Sequence, residues 1–199
     1  MSTSLHDLVK QLSSPDFNAR AFALADLVQA GSAAVPVLIQ AFNTPDEEIR
    51  AQVAQALAEI ADPSSADTLA RAVSDNNEEV RARAAQGLAR MNDHRAMSAL
   101  IDTINDFPDE LHNPFTLSIY ELIRLGPAAL PAIVPLLKSA DATTRHRAFL
   151  AFRTIVSMLP EVTDWRQFWQ SFGSYNPDAA AQERDSAADQ LASWVNQRT

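Results

Sequence analysis

The chain has 199 residues, of which 47% are hydrophobic and 21% charged, a composition typical of a folded globular protein. It contains no cysteine, which excludes structural disulfides, thiolate zinc sites and a cysteine nucleophile. Its formal net charge of -9 argues against nucleic-acid binding, whose affinity comes largely from Lys and Arg neutralising phosphates. There is no signal-peptide pattern and no apolar stretch of about 18 residues. We therefore expect a cytoplasmic protein that binds neither nucleic acid nor a membrane.

Short helices are predicted at regular intervals from the beginning of the chain. Each contains an apolar residue in the same register. The segments are LHDLVKQL, VPVLIQAF, ADTLARAV, MSALIDTI and LPAIVPLL, and the shared apolar positions are Leu8, Leu38, Leu69, Leu100 and Ile133. Gly31 and Gly126 are predicted to end the helices that precede two of these segments. Pro36 and Pro131 then lie in the first turn of the helix that follows, where proline is well tolerated.

A longer helix carrying a recurring Arg alternates with these segments. The Arg recurs at steps of 30, 31 and 64 residues, with an Asp or Asn four residues before it. The pairs are Asp16 and Arg20, Asp46 and Arg50, Asn77 and Arg81, and Asp141 and Arg145. An Asp or Asn at this place predicts an N-cap, whose side chain accepts hydrogen bonds from free backbone N–H groups. Ala54, Leu57 and Ile60 then follow at helical spacing, which predicts one apolar face per helix.

This period predicts stacked helical hairpins, because a hairpin of about 30 residues cannot bury its apolar face alone. The spacing D-x-x-x-R-x-x-A-x-x-x-L, with G-x-x-x-x-P-x-L-x-x-x-L leading into the next hairpin, resembles the HEAT repeat. It is most similar to the short HEAT-like repeats of phycobilisome lyase-type and other bacterial proteins. The resemblance implies an all-α, armadillo-like fold, a right-handed α-α superhelix (α-solenoid) of about five HEAT-like hairpins plus a C-terminal capping helical pair. It also implies that the recurring Asp and Arg residues are structural and form a ladder between layers.

The predicted boundaries follow these repeats. Five repeats at 4–31, 32–62, 63–93, 94–126 and 127–159 make up a region 1–159, and a Trp-rich cap occupies 160–199. The fourth repeat has Phe115 where the recurring Arg is expected, after a longer loop, DFPDELHNPF. We interpret this break as the drift that single repeats tolerate, in preference to a bend or a ligand-contacting loop.

All three tryptophans lie in the last fifth of the chain. Trp165 and Trp169 are four residues apart on one predicted helical face, and Trp194 lies in a second amphipathic helix that begins near Pro177. These rings either form an aromatic binding patch or cover the open end of the array, as the terminal repeats of such arrays require. We prefer the cap.

No residue pattern typical of catalysis or metal binding is present. The four histidines fall in different repeats, and none forms an H-x-x-x-H or a His-Glu pair. The chain has 4 glycines, and it contains neither a phosphate-cradling loop nor G-x-S-x-G. We expect no catalytic residue, no metal and no cofactor. If the chain belongs to an enzyme, it does so as a bilin lyase subunit.

In each hairpin the longer helix is the second helix, and it carries the recurring Arg in every repeat but the fourth. The surface that these second helices line is the predicted partner-binding groove. Relative to the recurring Arg, positions two, five and nine project away from the apolar stripe, and they become more basic in the later repeats. The groove residues are Phe22, Gln52, Arg83, Arg90, Leu117, Tyr120, Arg124 and Arg147. Arg donors beside apolar anchors suit an acidic peptide or protein face. In the alternative interpretation, the same Arg side chains pair with neighbouring Asp and Glu on a solvated face.

The function that follows is a non-enzymatic scaffold or adaptor that holds another protein along its concave surface. A first alternative is a subunit or chaperone of a phycobilin lyase or phycobilisome-handling system, in which Arg side chains pair with the propionates of a bilin. A second alternative is an inhibitor or immunity protein. Capped ends favour a monomer or a hetero-complex over an open stack.

Overall fold

The computed structural model describes residues 3–109 and 115–198. Regular structure in these residues is helical, apart from an isolated antiparallel bridge between Pro108 and Thr116. The predicted all-α class is therefore confirmed. The chain divides into two compact units, Met1–Asp106 and Phe107–Thr199. The boundaries proposed for single repeats and for the cap remain predictions.

Alternating short and long helices build the first unit. They are α1 Leu5–Gln11, α2 Phe17–Ala30, α3 Val35–Ala41, α4 Glu47–Ile60, α5 Ala66–Ala72, α6 Glu78–Arg90 and α7 Ala96–Asp102. Each long helix packs on the short helix before it, and α4 lies between α2 and α6. The shared apolar residues of the short helices are buried, as expected. Gly31 ends α2 with φ 59°, a left-handed conformation that glycine adopts without steric cost.

The long helices approach one another closely because they bury small residues. Ala54 and Ala58 of α4 are fully buried, as is Ala85 of α6. At Gly87 the approach leaves no room for a side chain, because a Cβ atom would lie 2.5 Å from Leu69 Cδ1 and 3.1 Å from Ala58 Cα. Gly87 therefore leaves the space into which α5 and α4 pack.

The recurring Arg connects one hairpin to the next. Arg50 donates through Nη1 to the carbonyls of Thr44 and Pro45, both at 3.0 Å, in the turn before its own helix. Its Nε and Nη2 donate to the carboxylate of Asp75, at 2.8 and 2.9 Å. Arg81 repeats the arrangement, with its fork on Asp106 at 2.6 and 2.9 Å. Each guanidinium thus joins two successive turns, a geometry that a planar fork of five donors allows.

The structure corrects one part of the predicted ladder. The cap residues Asp16, Asp46, Asn77 and Asp141 do accept backbone N–H groups at the beginning of their helices. The carboxylates that the Arg residues reach are different ones. Asp75 stands two residues before the cap Asn77, and its Oδ1 also accepts the N–H of that cap, at 2.9 Å. Thr44 and Ser139, also two residues before their cap residues, accept the cap N–H in the same way. The sequence therefore gives no sign that Asp75 differs from an ordinary turn residue.

The described residues of the second unit, 107–109 and 115–198, form five α-helices. They are α8 Leu117–Leu125, α9 Leu130–Ile133, α10 Ala142–Ser157, α11 Trp165–Ser171 and α12 Ala181–Asn196, with a 3-10 turn at Val134–Lys138 after α9. Arg145 of α10 keeps the recurring contact to its own turn, donating to the carbonyls of Ser139 and Ala140, both at 2.9 Å. Its Nε donates to the Pro177 carbonyl at 3.0 Å instead of to a carboxylate.

The break in the fourth repeat changes where its second helix begins. Phe115 lies before α8, outside the helix, and its carbonyl accepts the N–H of Asp109 at 2.9 Å. Thr116 caps α8 by accepting the N–H of Ile119. The middle of the longer loop, with His112, lies outside the described residues.

One helical stretch in the second unit, Leu117–Lys138, is long and apolar enough to cross a membrane by length and composition. A second candidate, Phe17–Ala33 with Val35–Ala41, qualifies only if two segments bent by 120° count as one. Core helices of soluble proteins pass the same test, so this evidence is weak. The expected cytoplasmic location stays a prediction.

We predict that Gly87→Ala lowers the free energy of unfolding by about 1–3 kcal/mol, because the added methyl would overlap Leu69 and crowd the backbone of Ala58. The loss should occur although Ala is the better helix former by about 1 kcal/mol. Denaturant unfolding measures it. In a Leu69→Val background the same change should cost less, because the obstructing Cδ1 is gone. A single variant as stable as the wild type would contradict this close approach.

The Arg50–Asp75 pair should make stability depend on pH. Hydrogen bonds from Arg50 hold the pKa of Asp75 below its usual 3.8, so this contribution is present above that value and is lost as pH falls through the folded pKa. Both side chains are mostly buried. Asp75→Asn should therefore lower the free energy of unfolding by about 1–3 kcal/mol at pH 7, with a deficit that shrinks below about pH 4.

The matched control is Asp7→Asn, whose exposed carboxylate accepts from the exposed side chains of Ser4 and Lys10 at its own short helix and contacts no other hairpin within the described residues. It should alter stability at pH 7 by no more than about 0.5 kcal/mol. Equal effects of the two substitutions would show that Asp75 has no special role between the hairpins.

Candidate functional site

The second helices of the first unit form one continuous surface. A depression of about 220 Å³ is lined by Arg20 from α2, Glu48 and Gln52 from α4, and Glu79 from α6. The first turns of three successive long helices therefore meet on the same side of this unit. We call this surface, with Phe22 and Arg83 and Arg90 further along α2 and α6, the second-helix face.

The groove residues predicted in this unit differ in exposure. The Phe22 ring is 70% exposed and Arg90 is exposed, whereas Gln52 and Arg83 are half-buried. Arg83 Nη2 donates to Glu79 Oε1 at 3.3 Å, one helical turn away. Gln86, five residues after the recurring Arg81, is buried, so not every predicted groove position is exposed to solvent.

The groove residues predicted on α8 lie in the second unit. Tyr120 is 45% exposed, and its ring stacks on Phe115 with centroids 5.1 Å apart. Leu117, the first residue of α8, is half-buried. Arg124 is exposed and its Nε donates to Glu121 Oε2 at 2.5 Å. For Arg83 and Arg124 the structure thus shows pairing with a neighbouring Glu, which makes both surfaces less positive than the sequence columns alone indicate.

Arg147 is placed differently from the prediction. Its side chain belongs to a residue that is only 5% exposed, on the stripe of α10 that also buries Thr144, Ala148 and Ala151. These residues are three or four apart, so they share one face of the helix. Arg147 is therefore a buried cation of the second unit and does not belong to an exposed groove.

The Trp-rich segment forms a cluster of rings within the second unit. Trp169 stacks on Trp165 at 5.1 Å and contacts Phe149 of α10 at 4.9 Å, between ring centroids. Trp194 of α12 lies edge-on to Phe168 at 5.0 Å. The rings therefore join α11 and α12 to each other and to α10. That they cover the end of an array stays a prediction.

A buried tyrosine connects the segment after α11 to the helices before it. The Tyr175 hydroxyl donates to the carbonyl of Leu137 at 2.6 Å, and the residue is 2% exposed. Burial raises the pKa of Tyr175 to about 12. The phenol therefore stays protonated, and able to donate this hydrogen bond, above the pH at which an exposed tyrosine ionises.

Metal-binding groups are not assembled in the part of the chain that the structure describes. No three or more His, Asp or Glu side chains within residues 3–109 and 115–198 are arranged to hold an ion. His146 contacts the Ala142 carbonyl and the Asp178 carboxylate, and so bridges α10 and the segment before α12.

We predict that Arg147→Gln lowers the free energy of unfolding by about 1–3 kcal/mol, because it removes a guanidinium that is only 5% exposed together with the interactions that it makes. The matched control is Arg166→Gln, the same change at an exposed position of α11 in the same unit, which should alter stability by no more than about 0.5 kcal/mol. Denaturant unfolding of both variants measures the difference. A similarly small effect of both substitutions would contradict the burial of Arg147.

The family model described as HEAT repeats matches residues 5–75 and 35–113, which together extend over more than half of the chain. No match was found among curated proteins. Among solved structures, the complex of CpcE and CpcF of phycocyanin lyase from Nostoc sp. PCC7120 is 23% identical, with a TM-score of 0.44 over 93% of this chain and 97% of that one. A designed armadillo repeat protein in complex with the peptide (KR)4 is 20% identical, with a TM-score of 0.43 over 97% and 99%. Neither structural likeness carries a conclusion about function.

The family match agrees with the recurring Arg, the capped second helices and the helical hairpins of the first unit. This chain belongs to the HEAT-repeat family.

Proposed function

We propose that this chain is a non-catalytic module that binds another protein on the second-helix face of its first unit. The observation that carries the proposal is Phe22, a large aromatic side chain that is 70% exposed on a long helix of a stacked array. Aromatic and Arg side chains are the residues that most often dominate binding energy at protein interfaces. Phe22, Arg83 and Arg90 supply both types on this face.

The rigidity of the face supports the same function. Arg50 and Arg81 tie successive turns together through charge-assisted hydrogen bonds, and caps satisfy the first N–H groups of α2, α4 and α6. A surface held in this way loses little conformational entropy when a partner binds. A stack of fixed helices therefore suits the presentation of an extended binding surface.

The charges of the face indicate a partner of mixed character. Arg83 is paired with Glu79, and Glu48 and Glu59 lie on the neighbouring helix α4. The face is thus close to neutral, with an aromatic anchor at one side and the exposed Arg90 at the other. We expect the partner to bring an apolar contact for Phe22 and a surface of mixed charge around it. The α8 residues Tyr120, Leu117 and Arg124 of the second unit remain a separate prediction.

The test is affinity capture with a matched pair of Phe variants. Phe22→Ala should weaken retention of the partner at least about tenfold, since truncating an aromatic anchor typically costs about 2 kcal/mol or more of binding energy. Phe17→Ala is the control, because Phe17 is 71% exposed on the same helix but lies five residues earlier, so its side chain projects about 140° away from that of Phe22 around the helix axis. It should retain the partner in full. Mass spectrometry and thermal melts of each variant complete the measurement.

Retention of the same partner by Phe22→Ala and by Arg90→Glu would exclude the second-helix face. The visible spectrum of the eluate tests the alternative function in the same experiment. Bilin absorbance in the wild-type eluate would favour a phycobilin lyase subunit over a scaffold.

A further inference from the structure

A cleft of about 610 Å³ opens between two successive turns of the first unit, and no residue of the second-helix face lines it. One wall is the turn between α3 and α4, and the other is the end of α5 with the turn that follows it. Phe42 and Pro45 give the first wall an apolar surface, and Thr68 and Arg71 of α5 lie on the second. We call it the turn cleft.

Two of the charged residues that line the turn cleft are used by the fold itself. The Arg50 guanidinium is occupied by two turn carbonyls and the Asp75 carboxylate. Asp75 in turn accepts from Arg50 and from the Asn77 N–H. These opposite charges cancel, and both side chains are mostly buried. The Arg50–Asp75 ion pair therefore connects the two turns and adds no net charge to the turn cleft.

Arg71 is the charge in the turn cleft that the fold leaves available. It is exposed, and its Nη2 makes one long hydrogen bond, 3.4 Å, to Thr68 Oγ1. Its other N–H groups donate to nothing in the described residues. Thr68 is 7% exposed, and its hydroxyl proton has no acceptor among those residues either. A buried hydroxyl and a guanidinium thus present unused donors to the same space.

We propose that the turn cleft binds a carboxylate on an apolar body, specifically a Glu side chain of an acidic, Leu-containing peptide segment. The carboxylate accepts from Arg71 and from the Thr68 hydroxyl, and the apolar part lies on Phe42 and Pro45. A guanidinium fork matches the two oxygens of a carboxylate, and a net charge of one Arg selects an anion over a cation. This site lies at the turns, and it stands independently of the proposed second-helix face.

The repeat supplies an internal control for this proposal. Arg71 stands two residues after the buried Leu69, and the same register places Asp102 two residues after the buried Leu100. Asp102 is exposed and lines a separate cleft of about 310 Å³. In this second cleft the register position carries a carboxylate, and the Arg95 side chain that also lines it is already paired with Asp67 and Asp93. Only the turn cleft should therefore attract a carboxylate.

The experiment is an NMR titration of the whole chain with a peptide of alternating Leu and Glu, blocked at both ends. The Nε–H of Arg71 and the side-chain amides of Asn43 and Asn76, which line the turn cleft, should shift in the wild type. Arg71→Gln should raise the dissociation constant of the peptide about threefold to fivefold, as expected when a solvent-accessible ion pair is lost. Thr68→Val should also weaken it, and Asp102→Asn should leave it unchanged.

The reference ligand is the same peptide with Gln in place of Glu, which should bind more weakly than the Glu peptide and respond little to Arg71→Gln. Because Arg71 is exposed, its variant should melt as the wild type does, so a loss of binding reports on the cleft. The proposal is overturned by an absence of shifts at the turn cleft, by equal affinity of the wild type and Arg71→Gln, or by an equal effect of Asp102→Asn.

Discussion

The rest of the first unit depends on one hydrogen-bonding arrangement, the guanidinium that joins two successive turns. Arg50 and Arg81 each hold the carbonyls of their own turn on one side and a carboxylate of the next turn on the other. Because a guanidinium carries its donors in a rigid plane, holding three acceptors at once fixes the spacing of neighbouring hairpins. The two turns that Arg50 joins are the walls of the turn cleft, and the small residues of α4 and α6 let these helices pack at the same spacing.

Arginine therefore has three different roles in this chain, and only the structure separates them. Arg50 and Arg81 are consumed by the fold, Arg147 is buried in α10, and Arg71 and Arg90 lie on the surface. A cation can contribute to partner binding only if its desolvation and hydrogen bonds are not already committed inside the protein. For this reason few Arg residues contribute to the second-helix face and to the turn cleft, and the net charge of both surfaces is small.

Much of the fold could be predicted because its signals are local. The caps Asp16, Asp46, Asn77 and Asp141, and the helix-ending Gly31 and Gly126 with positive φ, each act within one turn of backbone. The candidate site was less predictable, because positions along a helix give directions relative to that helix alone. Phe22, Tyr120 and Arg90 are exposed as predicted, whereas the burial of Arg147 depends on what packs against α10.

By itself, the sequence determined the period, the alternation of short and long helices, their caps and the HEAT-repeat family, since each of these is written in residues that lie close together along the chain. Only the tertiary structure decided which carboxylates pair with the recurring Arg residues, because Asp75 and Asp106 lie 25 residues along the chain from the Arg side chains whose hydrogen bonds they accept. It also decided that Gly87 must lack a side chain, and that Arg71 keeps unused donors beside a cleft. These properties come from contacts between separate hairpins, and no local pattern encodes the atoms that a neighbouring hairpin brings.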